Sequence, residues 1–220
     1  MMHPTYEQLK LHADGALDDV QSIMVAVHLH HCDKCRQQLL QLEQDLASQS
    51  LVETESVFGA DDLSALMERL DEPVEVKPST PSHSSLSFQG REFSLPPHLN
   101  ELVQRTGSWT RIVNKLWSAP IRDHDQDYQL NFIYMEPGGS IAQHTHKGLE
   151  WTLVLDGSFS DENGHYGPGE LVRTDGELEH TPVSEQGCLC LAAIDAPLQF
   201  TSGIARALNP FSQLFFKTGG

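Results

Sequence analysis

His28-Leu29-His30-His31-Cys32-Asp33-Lys34-Cys35 is the stretch that decides how the first third of this chain folds. It sets a His-x3-Cys-x2-Cys array at the end of an apolar-striped segment, with His3 25 residues upstream of His28. Two soft thiolates and two imidazoles are the donor set of a closed, tetrahedral zinc site. On one ideal helix, His28, Cys32 and Cys35 would fall within an arc of roughly 60° and could share an ion. His31 would lie about 100° from Cys32 on the same helix, so it ranks below His28. A lone CxxC would equally suit a redox dithiol or two buried thiols. The histidine one turn ahead of the first cysteine turns the reading towards a structural metal. His3 is the candidate fourth ligand, and His12 is its competitor.

Around this array, residues 1–72 read as short helices without any strand pattern. Tyr6 to Leu11 predicts a first helix and Gly15 a break. Val20, Ile23, Met24 and Val27 follow i, i+3, i+4, i+7 and predict a second helix running into the metal residues. Leu39, Leu42 and Leu46 continue the face of Cys35 along a third. Leu63, Leu66, Met67 and Leu70 predict a fourth, started by Asp61-Asp62. Such stripes are usually core. The fourth is set apart from the others by a weakly acidic segment, so it is also a candidate partner-binding face.

The net charge is −17, and residues 1–72 alone carry 14 Asp/Glu against four Lys/Arg. An acidic surface repels phosphate backbones, which argues against direct nucleic-acid binding. It suits a basic protein partner instead. No apolar run approaches a membrane span and no signal peptide opens the chain, so a cytoplasmic location is expected. In that compartment the four cysteines are expected to be reduced, favouring metal binding or redox sensing over structural disulfides.

Residues 73–93 are rich in Pro and Ser and are expected to form a linker that lets two modules move apart. From residue 94 the pattern becomes β. Leu130, Phe132 and Tyr134 alternate with Asn131, Ile133 and Met135. Short apolar runs follow at 151–155, 189–194, 198–201 and 214–216, with turn residues between them. Many short strands predict a sandwich or barrel over 94–220.

Within that region stands Gly138-x5-His144-x-His146-x3-Glu150-x6-Gly157, and a later strand end supplies His180 after Pro168-Gly169. Residues i and i+2 of a strand share a face, so His144 and His146 can both point into a barrel. Three imidazoles and a carboxylate would take zinc, manganese, iron or nickel and leave positions open. The pattern resembles the cupin motif, although His180 lies further past Pro168-Gly169 than usual. Cys188 and Cys190 share one face of a predicted strand. They are either buried, reduced thiols or an oxidation-sensitive pair.

A His/Cys helical module, a Pro/Ser linker and a cupin in this order resemble the ChrR family of bacterial anti-sigma factors over nearly the whole chain. The resemblance rests on His3, His28, Cys32 and Cys35 in the first module and on His144, His146, Glu150 and His180 in the second. It implies a small all-α zinc domain over 1–72, followed by an all-β cupin barrel of the jelly-roll type. It also implies a non-enzymatic role: binding and inhibiting a group IV (ECF) sigma factor, and releasing it under singlet oxygen or related oxidative stress sensed through the cupin. The alternative is a cupin metalloenzyme, such as a dioxygenase or isomerase, with an accessory zinc-binding docking domain, because catalytic cupins share the barrel ligand set.

Overall fold

The computed structural model describes residues 3–50, 64, 67, 84–122 and 128–209. Three helices come first: α1 (Tyr6–Ala13), α2 (Asp19–His31) and α3 (Asp33–Ser50). Thr5 starts α1 with a capping box, its side chain accepting from Gln8 N–H while Gln8 reaches back to Thr5 N–H. Asp18 caps α2, accepting from Gln21 N–H at 2.7 Å. Gly15, at φ +66°, provides the turn between them.

α2 does not continue through the cysteines. It stops at His31, and Cys32 takes an extended conformation (φ −122°, ψ 99°) before α3 begins. The Cys35 N–H lies 3.5 Å from Cys32 Sγ, placing that sulfur where an N-cap oxygen would sit. Convergence of His28 with the two cysteines is therefore the work of a helix–turn–helix corner. The single-helix expectation is corrected accordingly.

The remaining elements are nearly all strands: β1 (Ser84–Phe88), β2 (Arg91–Leu95), β3 (Thr110–Val113), β4 (Leu116–Pro120), β5 (Gln129–Met135), β6 (Gly139–Ser140), β7 (His144–His146), β8 (Glu150–Gly157), β9 (Phe159–Asp161), β10 (Gly164–Tyr166), β11 (Leu171–Thr174), β12 (Val183–Ser184), β13 (Cys188–Ile194) and β14 (Leu198–Phe200). A 3-10 turn (Pro97–Leu99) and a short helix α4 (Asn100–Gln104) follow β2, and a second 3-10 turn (Ile204–Leu208) follows β14. A six-stranded antiparallel sheet runs β11-β8-β13-β5-β4-β3, beside a four-stranded sheet β10-β9-β12-β6 and the pair β14-β7. The sheets do not close into a continuous cylinder, but the arrangement is cupin-type.

The centre of the six-stranded sheet is buried on both faces, and the register shows what each face carries. Leu191 of β13 stands between Phe132 of β5 and Leu153 of β8, and the next residue back, Cys190, between Ile133 and Val154. The outer row (Leu130, Phe132, Tyr134, Trp151, Leu153, Leu189, Leu191) belongs to the largest apolar cluster. The inner row (Met135, Val154, Val172, Cys188, Cys190) packs with Phe159 and Tyr166 inside the barrel. Burial of both faces explains why β13 reads as an unbroken apolar run.

Two findings depart from the expected linker. Residues 84–95 form the β1–β2 hairpin, turned at Gln89 and Gly90, both at positive φ. Leu86, Phe93 and Leu95 are buried on the outer face of the large sheet. Composition hid this because the hairpin's exposed strand positions are Ser85, Ser87, Arg91, Glu92 and Ser94, and only alternate residues face the sheet. The helices are also not held apart from the barrel. Val20, Met24 and Val27 of α2 belong to the same apolar cluster as Trp151, Leu153 and Leu171. The opposite side of α2, through Val25 and Leu29, packs with Leu9, Leu42 and the two cysteines. α2 thus serves two cores.

Of the fourth predicted helix only Ser64 and Met67 are described; both are helical, and Met67 is exposed. Leu63, Leu66 and Leu70 lie outside the described residues, as does the run 214–216.

Candidate metal centres

Two clusters of potential ligands form among the described residues: His3, His28, Cys32 and Cys35, and His144, His146, Glu150 and His180. In each, four donor atoms lie within 4.8 Å of one another.

In the first, His3 Nδ1 stands 3.4 Å from Cys32 Sγ and 3.3 Å from Cys35 Sγ, and His28 Nε2 stands 3.4 Å from Cys35 Sγ. Donors at ordinary zinc distances and a tetrahedral angle would be about 3.6 Å apart. The corner is therefore close to the size of a closed four-ligand site. His12 and His31, the competitors, are not part of the cluster. Burial pushes the Cys35 thiol up to about 11, with the neighbouring Cys32 adding to it. Burial also lowers His28, opposed by its hydrogen bond to Gly169 and by Glu170. The Cys35 thiol, held protonated by burial, becomes a thiolate when a cation arrives, so metal binding here releases a proton.

In the second cluster, β7 presents His144 and His146, β8 opens with Glu150, and His180 is brought in by a two-way backbone bridge to His144 (3.1 Å each way). His180 Nε2 is 3.1 Å from His144 Nε2 and 3.2 Å from His146 Nε2. Glu150 Oε2 lies 2.8 Å from His146 Nε2. The outer nitrogens show what these contacts are. His144 Nδ1 lies 2.9 Å from the Ala142 carbonyl, and His180 Nδ1 lies 3.1 Å from Asp161 Oδ2. If those nitrogens carry the protons, as their acceptors require, the inner nitrogens of His144 and His180 present bare lone pairs to each other. Lone pairs at about 3 Å repel unless a cation lies between them. Neighbouring donors at right angles around a metal about 2.1 Å away would be about 3.0 Å apart. The residues fit a divalent metal.

Burial, then the charge of His180, lowers His144 to about 4. Burial tends to raise Glu150, but His146 and His144 and the Thr152 hydroxyl bring it down to about 2. At neutral pH Glu150 is thus a carboxylate and His144 a neutral imidazole, the protonation states in which both can ligate a metal. His144, Glu150 and His180 also line a cavity of about 580 Å³. Its other walls are largely apolar, among them Ile133, Phe159, Val172, Ile194, Leu198 and Phe200.

Sequence reading missed the groups behind the ligands. Asp161, its side chain only 1% exposed, holds His180 and also accepts from Asn163 N–H, Gly164 N–H and the Tyr166 hydroxyl. Asp161-Glu162-Asn163-Gly164 was readable as a turn, but nothing in it pointed towards His180. The Gly169 carbonyl behind His28 Nδ1, at 2.7 Å, carries no sequence signal because it is backbone.

Residues 103–196 match the family model of the ChrR cupin-like domain. The anti-sigma-E factor ChrR of Cereibacter sphaeroides is 32% identical over 216 residues, covering 96% of this chain and 98% of that protein. The chain belongs to the ChrR family. The crystal structure of Rhodobacter sphaeroides SigE in complex with the anti-sigma ChrR contains a chain that matches with a TM-score of 0.64 and 28% identity, over 89% of this chain and 99% of that one. An RmlC-like cupin from Ralstonia eutropha matches 52% of the chain and 84% of its own, with 14% identity and a TM-score of 0.40. The ChrR match covers 96% of this chain, whereas the family model spans only residues 103–196 of the barrel region. No described helix is long and apolar enough to cross a membrane.

Proposed function

We propose that this protein is an anti-sigma factor that binds and inhibits a group IV (ECF) sigma factor in the cytoplasm and releases it under singlet oxygen or related oxidative stress. One observation carries the reading: the end-to-end match to ChrR, a protein named as an anti-sigma factor and crystallised with SigE. The enzyme alternative has no comparable support, because the relative matched over nearly the whole chain is named as an anti-sigma factor.

The helical module is the inhibitory part, with zinc held by His3, His28, Cys32 and Cys35 supporting a domain too small to be stable on packing alone. Its acidic character, 14 Asp/Glu against four Lys/Arg over residues 1–72, suits a sigma factor and not nucleic acid. The segment carrying Leu63, Leu66, Met67 and Leu70 adds a contact surface, and the exposure of Met67 agrees with that role.

The cupin is the sensing part. Its four ligands hold a divalent metal, zinc foremost, with manganese, iron and nickel compatible with the same donors. Such a metal would supply a Lewis-acidic point at the wall of an apolar cavity. The protein's own residues orient it: Ala142 and Asp161 fix two imidazoles, and Thr152 Oγ1 donates to Glu150 at 2.8 Å. Cys188 and Cys190 are the second candidate sensor. Cys190 reaches the cavity, but its thiol is raised well above the ordinary value by its hydrogen bond with Cys188 and by burial. A protonated thiol is a poor target for oxidants. The same hydrogen bond lowers the Cys188 thiol, but Cys188 is buried and does not line the cavity, whereas His144, Glu150 and His180 do, which puts the metal cluster ahead of the pair.

Co-expression of the chain with the sigma factors of its host should retain one of them, and the purified pair should fail to support transcription until singlet oxygen is generated. Turnover of a small substrate by the barrel, with no sigma factor retained, would favour the enzyme.

A further inference from the structure

His28 has two ring nitrogens and two different duties. Nε2 faces the cysteines, 3.4 Å from Cys35 Sγ. Nδ1 points the other way, out of the helical module, and lies 2.7 Å from the carbonyl oxygen of Gly169 in the turn between β10 and β11 of the cupin. The ring is wholly buried (0% exposed), so water does not compete for that nitrogen. We propose that the Gly169 carbonyl is an outer-shell group of the N-terminal metal site: by accepting from Nδ1–H it fixes the tautomer of His28 with Nε2 free for the metal, so that metal retention in the helical module depends on docking of the cupin.

Three observations place Gly169 there for a reason. Its φ is +83°, a region glycine enters without strain. A Cβ at this position would sit 2.3 Å from His31 Cβ and 2.7 Å from His31 Cγ, so only glycine lets the turn approach α2 closely. The turn is also anchored to the barrel rather than free to follow the helix. Gly169 N–H donates to the Val154 carbonyl at 2.8 Å, and Val154 N–H donates to Glu170 O at 3.1 Å. Val154 lies on β8, four residues along the strand that opens with Glu150 of the barrel cluster. Val20, Met24 and Val27 pack against the outer face of the same sheet. A displacement of β8 or of this packing would carry the acceptor away from His28.

Outer-shell acceptors of ligating histidines orient the ring and set its basicity, and their loss weakens metal binding 10- to 100-fold in other proteins. The inference rests on reading His3, His28, Cys32 and Cys35 as a metal site, and it is independent of what the partner is.

The test uses the full-length, zinc-loaded chain, with zinc transfer to a chromogenic chelator followed in time and histidine tautomers read by ¹⁵N NMR. Wild type should carry two zinc equivalents and show His28 protonated on Nδ1. In Gly169→Ala, one of the two should transfer at least tenfold faster while the barrel zinc keeps its rate, and the His28 Nδ1–H signal should be lost. Gly169→Ala combined with His31→Gly removes the three nearest atoms that the new methyl would meet, all of His31, leaves only the backbone strain of the positive φ, and should restore both the signal and slow transfer. Transfer within twofold of wild type in Gly169→Ala despite a lost Nδ1–H signal would overturn the proposal, as would a wild-type His28 unprotonated at Nδ1. If Gly169→Ala does not fold, the double variant decides. Slow transfer with the signal restored supports the proposal, and fast transfer with it restored overturns it. A wild-type chain with zinc in the barrel alone would instead overturn the metal-site reading itself.

Discussion

Replacing Asp161 by Asn tests how the barrel cluster is held. The change is nearly isosteric. Oδ1 can still accept from Asn163 N–H, Gly164 N–H and the Tyr166 hydroxyl, so the turn should survive. At the other position an NH₂ replaces the oxygen that lies 3.1 Å from His180 Nδ1. Two donors then face each other, and the imidazole escapes by moving its proton to Nε2, the atom that would ligate the metal. The expected loss is that of an outer-shell carboxylate, 10- to 100-fold in metal affinity, or about 1.4–2.7 kcal/mol. Equilibrium competition with a chelator of known affinity measures it, and the N-terminal metal serves as the internal control. A second readout comes from Tyr166, which burial first and Asp161 next push up to about 12. Removing the charge should bring its titration back towards the ordinary value, visible in the ultraviolet. Retention of barrel metal within twofold of wild type, with the Tyr166 shift showing that the charge is gone, would refute the argument.

Cys32→Ser should reduce bound zinc from two equivalents to one and abolish inhibition of the sigma factor, because structural zinc contributes on the order of 10 kcal/mol to such modules; full inhibition by a variant lacking that zinc would make the site incidental. Metal-free protein should lose stability in acid: His144 titrates near 4 when folded and near about 6.5 when unfolded. The unfolded state therefore takes up a proton between those values, and stability falls by up to about 3 kcal/mol as pH drops across the window. Thermal melts of chelator-treated protein at pH 7.5 and 4.5 check this, and a pH-independent midpoint would contradict it. Met24→Ala, at a site with 0% exposure shared by helix and sheet, should cost about 2–5 kcal/mol in denaturant unfolding; a loss below 0.5 kcal/mol, on the order of a surface change, would show that the joint is loose.

The two clusters of potential ligands were legible because side-chain chemistry and spacing mark them: His144 and His146 share a strand face, and His28 precedes two cysteines. The barrel strands were legible through the alternation of Leu130, Phe132 and Tyr134. What could not be read were the features made by backbone. The Gly169 carbonyl and the extended Cys32 that breaks α2 from α3 have no local side-chain signature, whereas the β1–β2 hairpin had one, Leu86 and Phe88 then Phe93 and Leu95 alternating about Gln89-Gly90, that the Ser-rich composition obscured. The stripe Val20, Ile23, Met24, Val27 was read correctly as a helix, but its partner was not. An apolar stripe states that something covers it and leaves open whether a neighbouring helix or a distant sheet does so.

The α2–cupin joint also limits how a barrel signal can reach the inhibitory module. A single hydrogen bond contributes about 0.5–1.5 kcal/mol net, whereas moving a two-state equilibrium from 1:99 to 99:1 takes about 5.5 kcal/mol. Losing the His28–Gly169 contact alone would therefore loosen the N-terminal metal without switching the protein. The joint is larger than that one bond. Val20, Met24 and Val27 are each at most 1% exposed, and burying such side chains contributes about 1.5–3 kcal/mol apiece, an upper bound of about 5–9 kcal/mol for the three. Separation of α2 from the sheet is thus of the right size for a switch. Since separation is itself unfavourable by that amount, a change at the barrel metal must distort β8 strongly enough to offset it. Glu150, Trp151, Leu153 and Val154 lie together on that strand, so the metal cluster, the apolar joint and the anchor of the Gly169 turn share one backbone segment.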